Sequence, residues 1–198
     1  VIREASETTV VVTETERMTI REFDSPDVQS LSKILADPDV MEFSSKGPLS
    51  EADTKGFVEW CIKSYQDYGY GQWAVVEKKS GKLIGCCGLS HATVDEVDEV
   101  EIGYRLDKEY WGKGLASEVA GGVLAHGFHA LMIESIVGIV APRHRTSIRV
   151  LKKIGFRDFS ETRYCCWDVR VYRLYRNELK SYNTSLQPTS GRDAAFLG

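Results

Sequence analysis

Apolar and polar positions repeat with different periods along the chain, and the periods mark out its elements. Residues 18–23 (MTIREF) alternate with period two, the pattern of a half-buried strand. Ser25-Pro26-Asp27 then offers a cap with proline at the first helical position. Val28, Leu31, Ile34 and Leu35 follow at helical spacing, up to Asp37-Pro38. Ser50 with Asp53 three residues on forms a capping box with Asp in place of Glu. It opens a second predicted helix through Phe57, Trp60, Cys61 and Tyr65, stopped by Gly69 and Gly71.

Residues 73–78 read as a strand, Ser80-Gly81 turns the chain, and residues 83–90 return it as a hairpin. Residues 95–99 form an acidic connection into a further strand over 100–106. A helix is predicted from about 114 to 131, an apolar β-branched strand over 133–140, and a short amphipathic helix over 146–154, ended by Gly155. Two late strands are predicted around 156–164 and 169–176. This order favours an α/β (α+β) fold whose sheet includes antiparallel pairs over a regular doubly wound fold. Beyond Tyr182 the chain turns to Asn, Ser, Thr, Gln, Pro and Gly. Residues 179–198 are therefore expected to be a mobile tail and residues 1–14 an N-terminal extension, with one domain over 15–178.

The length of 198 residues agrees with one domain and ragged ends. Hydrophobic residues at 42% and charged residues at 27% exclude disorder over most of the chain. The net charge of −4 lacks the basic excess of a duplex-binding domain, so no nucleic-acid partner is expected. No run of about 18 apolar residues predicts a membrane span, and the first sixteen residues lack the order of a secretory signal. Of the five cysteines, Cys86-Cys87 and Cys165-Cys166 are adjacent pairs. Neighbours on a strand point to opposite faces and chelate poorly, and no spacing suggests zinc. Reduced, mostly buried thiols in a cytoplasmic protein are expected, with no metal.

Trp111-Gly112-Lys113-Gly114-Leu115-Ala116 lies between a predicted strand and a predicted helix. Its glycines let the backbone turn tightly and approach a ligand. The helix that follows offers unpaired N–H groups and the positive end of its dipole to phosphate oxygens. The GxxxxGK[ST] pattern is absent and GxGxxG fails at Gly112-Lys-Gly-Leu-Ala-Ser117. The other reading of these residues is a plain strand-to-helix turn.

The longer segment Glu101 to Glu118, EIGYRLDKEYWGKGLASE, resembles the acetyl-CoA motif of the GNAT N-acetyltransferase superfamily. It is most similar to the branch containing the ribosomal-protein-alanine N-acetyltransferases. Residues 141–156 (APRHRTSIRVLKKIGF) resemble that branch's Asn-x-x-Ser…Leu-x-Lys-x-Gly-Phe segment, and residues 15–23 (TERMTIREF) resemble its opening strand. Together the motifs cover roughly residues 15 to 178.

The resemblance implies a mixed, mostly antiparallel central sheet, splayed at the coenzyme site and flanked by helices. It implies direct transfer of acetyl from acetyl-CoA to a primary amine, either a protein or peptide N-terminus or a small molecule. Trp111 occupies the family's Gln/Arg position in the coenzyme loop, and backbone amides over Gly112, Lys113, Gly114, Leu115, Ala116 and Ser117 would hold the pyrophosphate. Tyr104, Arg105 and Leu106 align with the splayed strand whose backbone pairs with pantetheine, which would lie there like an added strand. Ser147 aligns with a residue that contacts the coenzyme, and His144 stands where the branch has Asn. Leu151 stands where many relatives carry a Tyr general acid, and Ile139 where some carry a Glu base. Glu101, at a branch position often occupied by Glu, is then the candidate base that removes a proton from the substrate ammonium. Tyr164 is the candidate proton donor to the leaving thiolate. No metal and no membrane are implied, and the chain would be a monomer or homodimer. The rival reading is a coenzyme-A-binding sensor or interaction module without catalysis.

Three further clusters each have two readings. Asp95, Glu96, Asp98, Glu99 and Glu101 form either a solvated hairpin tip or a field that steers a cationic amine. Arg143, His144, Arg145 and Arg149 form either a solvated helix start or a cradle for the coenzyme's 3′-phosphate. Trp60, Tyr65, Tyr68, Tyr70 and Trp73 are either core or the lining of an amine pocket.

Overall fold

The structure, a computed structural model, describes residues 10–179. The first nine residues and the expected tail from residue 180 onward lie outside the described residues. Strand β1 (Val11–Glu14) pairs antiparallel with β2 (Met18–Arg21). The alternating pattern begins only at residue 18, because β1 at the sheet edge buries none of its four residues whereas β2 buries Met18 and Ile20 in alternation. Helix α1 (Asp27–Leu35) starts one residue later than expected, with Pro26 as its N-cap and no side-chain cap. Asp27 instead takes two 2.7 Å bonds from the Arg21 guanidinium and one of 2.9 Å from the Asp24 N–H.

A short helix, α2 (Pro38–Met41), follows where only a helix end was expected; the Asp37 side chain caps it by accepting from the Asp39 N–H at 2.8 Å. Helix α3 (Glu51–Tyr68) carries the expected capping box of Ser50 and Asp53 and ends on a left-handed Gly69 at φ 76°. Next come β3 (Gln72–Glu77), β4 (Leu83–Val94) and β5 (Val97–Leu106). The acidic stretch is thus not a loop. Asp95 and Glu96 make a tight turn with φ of 48° and 65°, and the acids after them belong to β5. Glu99 is buried and bonded to the Arg173 guanidinium of a later strand, so it is no part of a solvated tip.

After β5 come a 3₁₀ turn (Lys108–Tyr110), α4 (Leu115–His129), β6 (Ser135–Val140), α5 (Arg145–Lys153), β7 (Phe159–Tyr164) and β8 (Trp167–Tyr175). The eight strands form one mixed sheet in the order β1-β2-β3-β4-β5-β6-β8-β7. Every neighbouring pair is antiparallel except β5–β6. This is the mixed, mostly antiparallel sheet that the motifs implied.

Two apolar layers hold the sheet. The larger sets Leu115, Val119, Val123, Leu124 and Phe128 of α4 against Met18, Ile20, Leu89, Ile102 and Leu106 of the strands. On the other side Leu31, Leu35, Val58 and Cys61 of α1 and α3 cover Ala74 and Cys86. Each such side chain contributes about 1.5–3 kcal/mol by leaving water. Cys61, Cys86 and Cys87 are buried as expected, but Cys165 and Cys166 are exposed. They form the turn of the β7–β8 hairpin, with φ of 48° and 67°, and a hairpin tip faces solvent.

Candidate active site

Strand β5 pairs with β4 along its whole length, from Val97↔Val94 to Leu106↔Gly85. With β6 it pairs at one position, Glu101↔Val137. Beyond that point β5 runs on to Leu106 and β6 to Val140 without bonding, so the sheet forks. The fork opens into a cavity of about 870 Å³. Glu101, Gly103, Tyr104 and Arg105 line it from β5, Gly138 to Ala141 from the other arm, and Ser147 and Leu151 from α5. The cavity continues toward α2 and α3, where Met41, Phe43, Leu49, Phe57 and Trp60 line it.

Glu101 sits at the vertex. Burial pushes its carboxyl up to about 7, while the nearby Arg105 charge pulls it back. A carboxyl poised there exchanges a proton readily at neutral pH. Ser90 lies directly across from Glu101 on β4. The Gln72 amide on β3 donates to Ser90 Oγ at 3.0 Å, and its Oε1 is buried without a partner. Gly103 leaves room for this side chain, since a Cβ there would stand 3.2 Å from Gln72 Nε2. Neither Gln72 nor Ser90 belongs to a motif of the sequence. They lie on other strands, and only the register of β3, β4 and β5 brings them beside Glu101.

Tyr104 points its hydroxyl to α5, 2.8 Å from Ser147 Oγ and 3.2 Å from the Ser147 carbonyl oxygen. Two expected coenzyme-site residues are therefore bonded to each other, and burial pushes the Tyr104 hydroxyl well up. The ring of His144 stacks on Phe43 at 3.9 Å and 11°, which joins the α2–α3 loop to the start of α5. Burial pulls its pKa down, against the charge of Glu42. Arg143 lies over the rings of Phe43 and Trp167, at 5.4 and 5.6 Å. Two of the four members of the basic cluster, Arg143 and His144, are thus engaged with aromatic faces. Tyr164 is not among the cavity-lining residues; it packs with Ile139 and Trp167 against Val94, Val137, Val169 and Val171. Burial, and then the charge of Glu101, raise its pKa. Of the five aromatics in question, Trp60 lines the cavity, Tyr65 and Trp73 stack in the interior, and Tyr68 stacks on His91.

The glycine loop lies past the end of β5. Gly112 and Gly114 both have left-handed φ, 73° and 77°, where a side chain would be strained. Gly114 is the N-cap of α4 and supplies no side-chain bond. The N–H groups of Leu115, Ala116 and Ser117 therefore start the helix without partners from within it. Leu115 is buried in the main core and anchors the loop from below. Trp111 is 47% exposed, and its indole N–H donates to the Leu106 carbonyl at 2.8 Å, tying the loop to the strand end. Lys113 Nζ rests 4.9 Å from the Tyr110 ring centre. Among the described residues no cluster of side chains could hold a metal ion.

The sequence profile of the acetyltransferase (GNAT) domain matches residues 17–157. The chain is 31% identical to the uncharacterized protein YkkB of Bacillus subtilis (strain 168), over 85% of its own length and 95% of that protein's. It is 30% identical to the uncharacterized N-acetyltransferase YnaD of the same strain, over 83% and 96%. A solved GNAT-family acetyltransferase from Bacillus anthracis superposes with a TM-score of 0.73 at 28% identity, covering 84% of this chain and 99% of that one. By its sequence profile, its relatives and its fold, the chain belongs to the GNAT family and carries an N-acetyltransferase domain.

Proposed function

We propose that the protein moves the acetyl group of acetyl-CoA directly to a primary amine, with Glu101 as the proton acceptor. The observation that carries this reading is the fork itself. The one point where β5 and β6 still pair is Glu101, and the unpaired arms beyond it enclose the cavity. An extended ligand with amide groups can bond to the backbone edge that β6 leaves unpaired at Tyr104 and Arg105, up to Leu106, whose carbonyl Trp111 holds, as a strand would. The amides of Gly112 to Ser117 suit its pyrophosphate, because a helix start favours anions. The Trp111–Leu106 bond links these two stretches.

At neutral pH the acceptor arrives as an ammonium. Ionised Glu101 takes one proton, directly or through a water, and leaves a nitrogen lone pair. The amine then bonds to the thioester carbonyl carbon, the nitrogen gives up its second proton to water, the C–S bond breaks, and the sulfur departs with the electron pair. A thiol titrates near about 8.5, so the departing thiolate needs no dedicated acid and takes its proton from water. Holding the two reactants together supplies much of the acceleration. The cysteines do not enter: Cys61, Cys86 and Cys87 are buried thiols pushed up by burial, and none of the five lines the cavity.

The motif resemblance to the ribosomal-protein-alanine branch supports a peptide or protein N-terminus as acceptor, beside small primary amines. The free thiols of Cys165 and Cys166 support a reducing, cytoplasmic setting. The test is release of free CoA thiol from acetyl-CoA across a panel of amines. Thiol release that depends on the amine, with an acetylated amine found by mass spectrometry, is the expected result. Binding of acetyl-CoA without thiol release would leave a coenzyme-binding module.

A further inference from the structure

The cavity wall facing the fork bears on the identity of the acceptor, given the acetyl transfer proposed for Glu101, on which the inference rests. Phe57 and Trp60 are three residues apart on α3 and so share a face. Their ring centres are 5.9 Å apart, and Phe23 backs Phe57 edge-on at 6.3 Å. Trp60 is 46% exposed although it sits on a helix with a buried side. Its indole is thus excluded from the core and presented to the cavity. Val40, Met41 and Leu49 continue the apolar wall.

The charges around this wall are few. The cavity-lining ionisable groups other than histidine are Lys46, Asp53, Glu101, Tyr104 and Arg105. Asp53 stands at the start of α3, where one of its oxygens accepts from the Ser50 hydroxyl at 2.6 Å and the Ser50 N–H at 3.3 Å. Glu101 is the carboxylate at the fork, with Ser90 directly across from it and the Gln72 amide bonded to Ser90 Oγ. Lys46 and Arg105 add positive charge that a second ammonium would meet.

We infer that the acceptor is a primary monoamine bearing an aromatic or branched apolar group, with its nitrogen at Glu101 and its apolar body against Phe57, Trp60 and Leu49. A polyamine would place its further ammonium groups along Phe57, Trp60 and Leu49, where they lose hydration against apolar carbon. An aromatic ring gains there by leaving water and by packing on two other rings. Two sources share this chemistry, a free arylalkylamine and a peptide N-terminus whose first side chain is aromatic or branched.

Thiol release from acetyl-CoA would be compared for 2-phenylethylamine, the tripeptide Phe-Gly-Gly and spermidine. At least one aromatic amine should exceed spermidine tenfold or more in kcat/KM. The better of the two identifies the source. Trp60→Ala, at an exposed position that the fold does not need, should raise KM for the aromatic amine about tenfold and leave kcat nearly unchanged. Trp60→Glu should shift preference toward spermidine. Calorimetry with the protein saturated in CoA gives the same ranking without turnover. Spermidine binding as well as or better than both aromatic amines, or no change in Trp60→Ala, would overturn the inference. A calorimetric preference for the aromatic amines with no thiol release from any amine would instead overturn the transfer reading and leave the pocket's preference standing.

Discussion

Arg17 and Glu118 stand 101 positions apart in sequence and meet at 2.6 Å, Nε to Oε2. The other oxygen of Glu118 accepts from the Thr15 hydroxyl at 2.7 Å and the Arg17 N–H at 2.8 Å. Arg17 also donates to the Lys113 carbonyl at 3.2 Å. The β1–β2 turn is thereby fastened to both the glycine loop and the first turn of α4. Glu118 is acidic in that first turn, where it also complements the helix dipole. One carboxylate thus fixes the loop whose amides are proposed to hold the pyrophosphate.

Glu118→Gln should loosen that loop. Burial pushes the Glu118 carboxyl up, but the bonds from Thr15 and Arg17 and the Arg17 charge together hold it below the ordinary carboxylate range. The folded chain therefore keeps this charge at a lower pH than the unfolded chain does. Its stabilisation is complete above the ordinary value of 4.5 and is lost as pH falls through the folded value. At pH 7 the variant should unfold with about 2 kcal/mol less stability, the typical worth of a bond to a charged group, and bind acetyl-CoA several-fold more weakly. At pH 3 the stability difference should shrink. Thermal unfolding at the two pH values measures it, and a difference that does not shrink in acid would contradict this role.

The same pair shows what a sequence can and cannot disclose. Thr15 to Phe23 and Glu101 to Glu118 each read as a motif, but nothing local says that Arg17 touches Glu118. Features closed within a few residues are legible: the Ser50/Asp53 box and Gly69 fix both ends of α3. The Asp95–Glu99 stretch reads as a connection because acids are depleted in strands. In the fold, β4 supplies a partner strand and Arg173 a countercharge for Glu99. The glycine loop is legible from its own residues as a tight turn into an uncapped helix. The fork is legible through resemblance alone, since a strand that stops pairing leaves no mark on its composition. Gln72 and Ser90 depend on the register of three strands, which no local pattern encodes.

Gly114→Asp tests the glycine loop itself. At φ 77° an aspartate is strained by about 1 kcal/mol, which the fold tolerates because an added Cβ meets nothing closer than Arg17 at 3.9 Å. The new carboxylate would face the phosphates at a helix start made for anions. Calorimetry should show acetyl-CoA affinity falling at least a hundredfold, with circular dichroism unchanged. Unaltered affinity would remove the loop from the coenzyme site.

Thiol titration should be biphasic. Cys165 and Cys166 sit exposed in the β7–β8 turn, whereas Cys61, Cys86 and Cys87 are buried and burial pushes their thiols up. The native protein should react quickly with two equivalents of Ellman's reagent, and the denatured, unreduced protein with all five. A reproducible deficit of two after denaturation would reveal a disulfide and argue against a reducing compartment.

Glu101→Gln is the sharpest test of the chemistry. The substitution keeps the shape of the side chain at the fork and removes the proton acceptor. A positioned base contributes about 100-fold to 10,000-fold, or roughly 3–5 kcal/mol of barrier, so kcat should fall by that factor while acetyl-CoA affinity holds. In the native enzyme activity should rise with pH through about 7, because burial pushes the carboxyl there and only the ionised form accepts a proton. The variant should lack this rise and regain activity at high pH, where more of the amine is already neutral. Stability carries the opposite slope. The folded chain keeps the Glu101 proton up to about 7 while the unfolded chain releases it near the ordinary value of 4.5. The native state binds more protons across that window, and unfolding free energy falls as pH rises through it. Glu101→Gln should abolish that fall. A carboxylate that merely bound the ammonium would raise KM instead and leave kcat alone. A variant within threefold of the native kcat at pH 7, on an established amine, would place the proton transfer elsewhere and leave positioning at the fork as the source of catalysis.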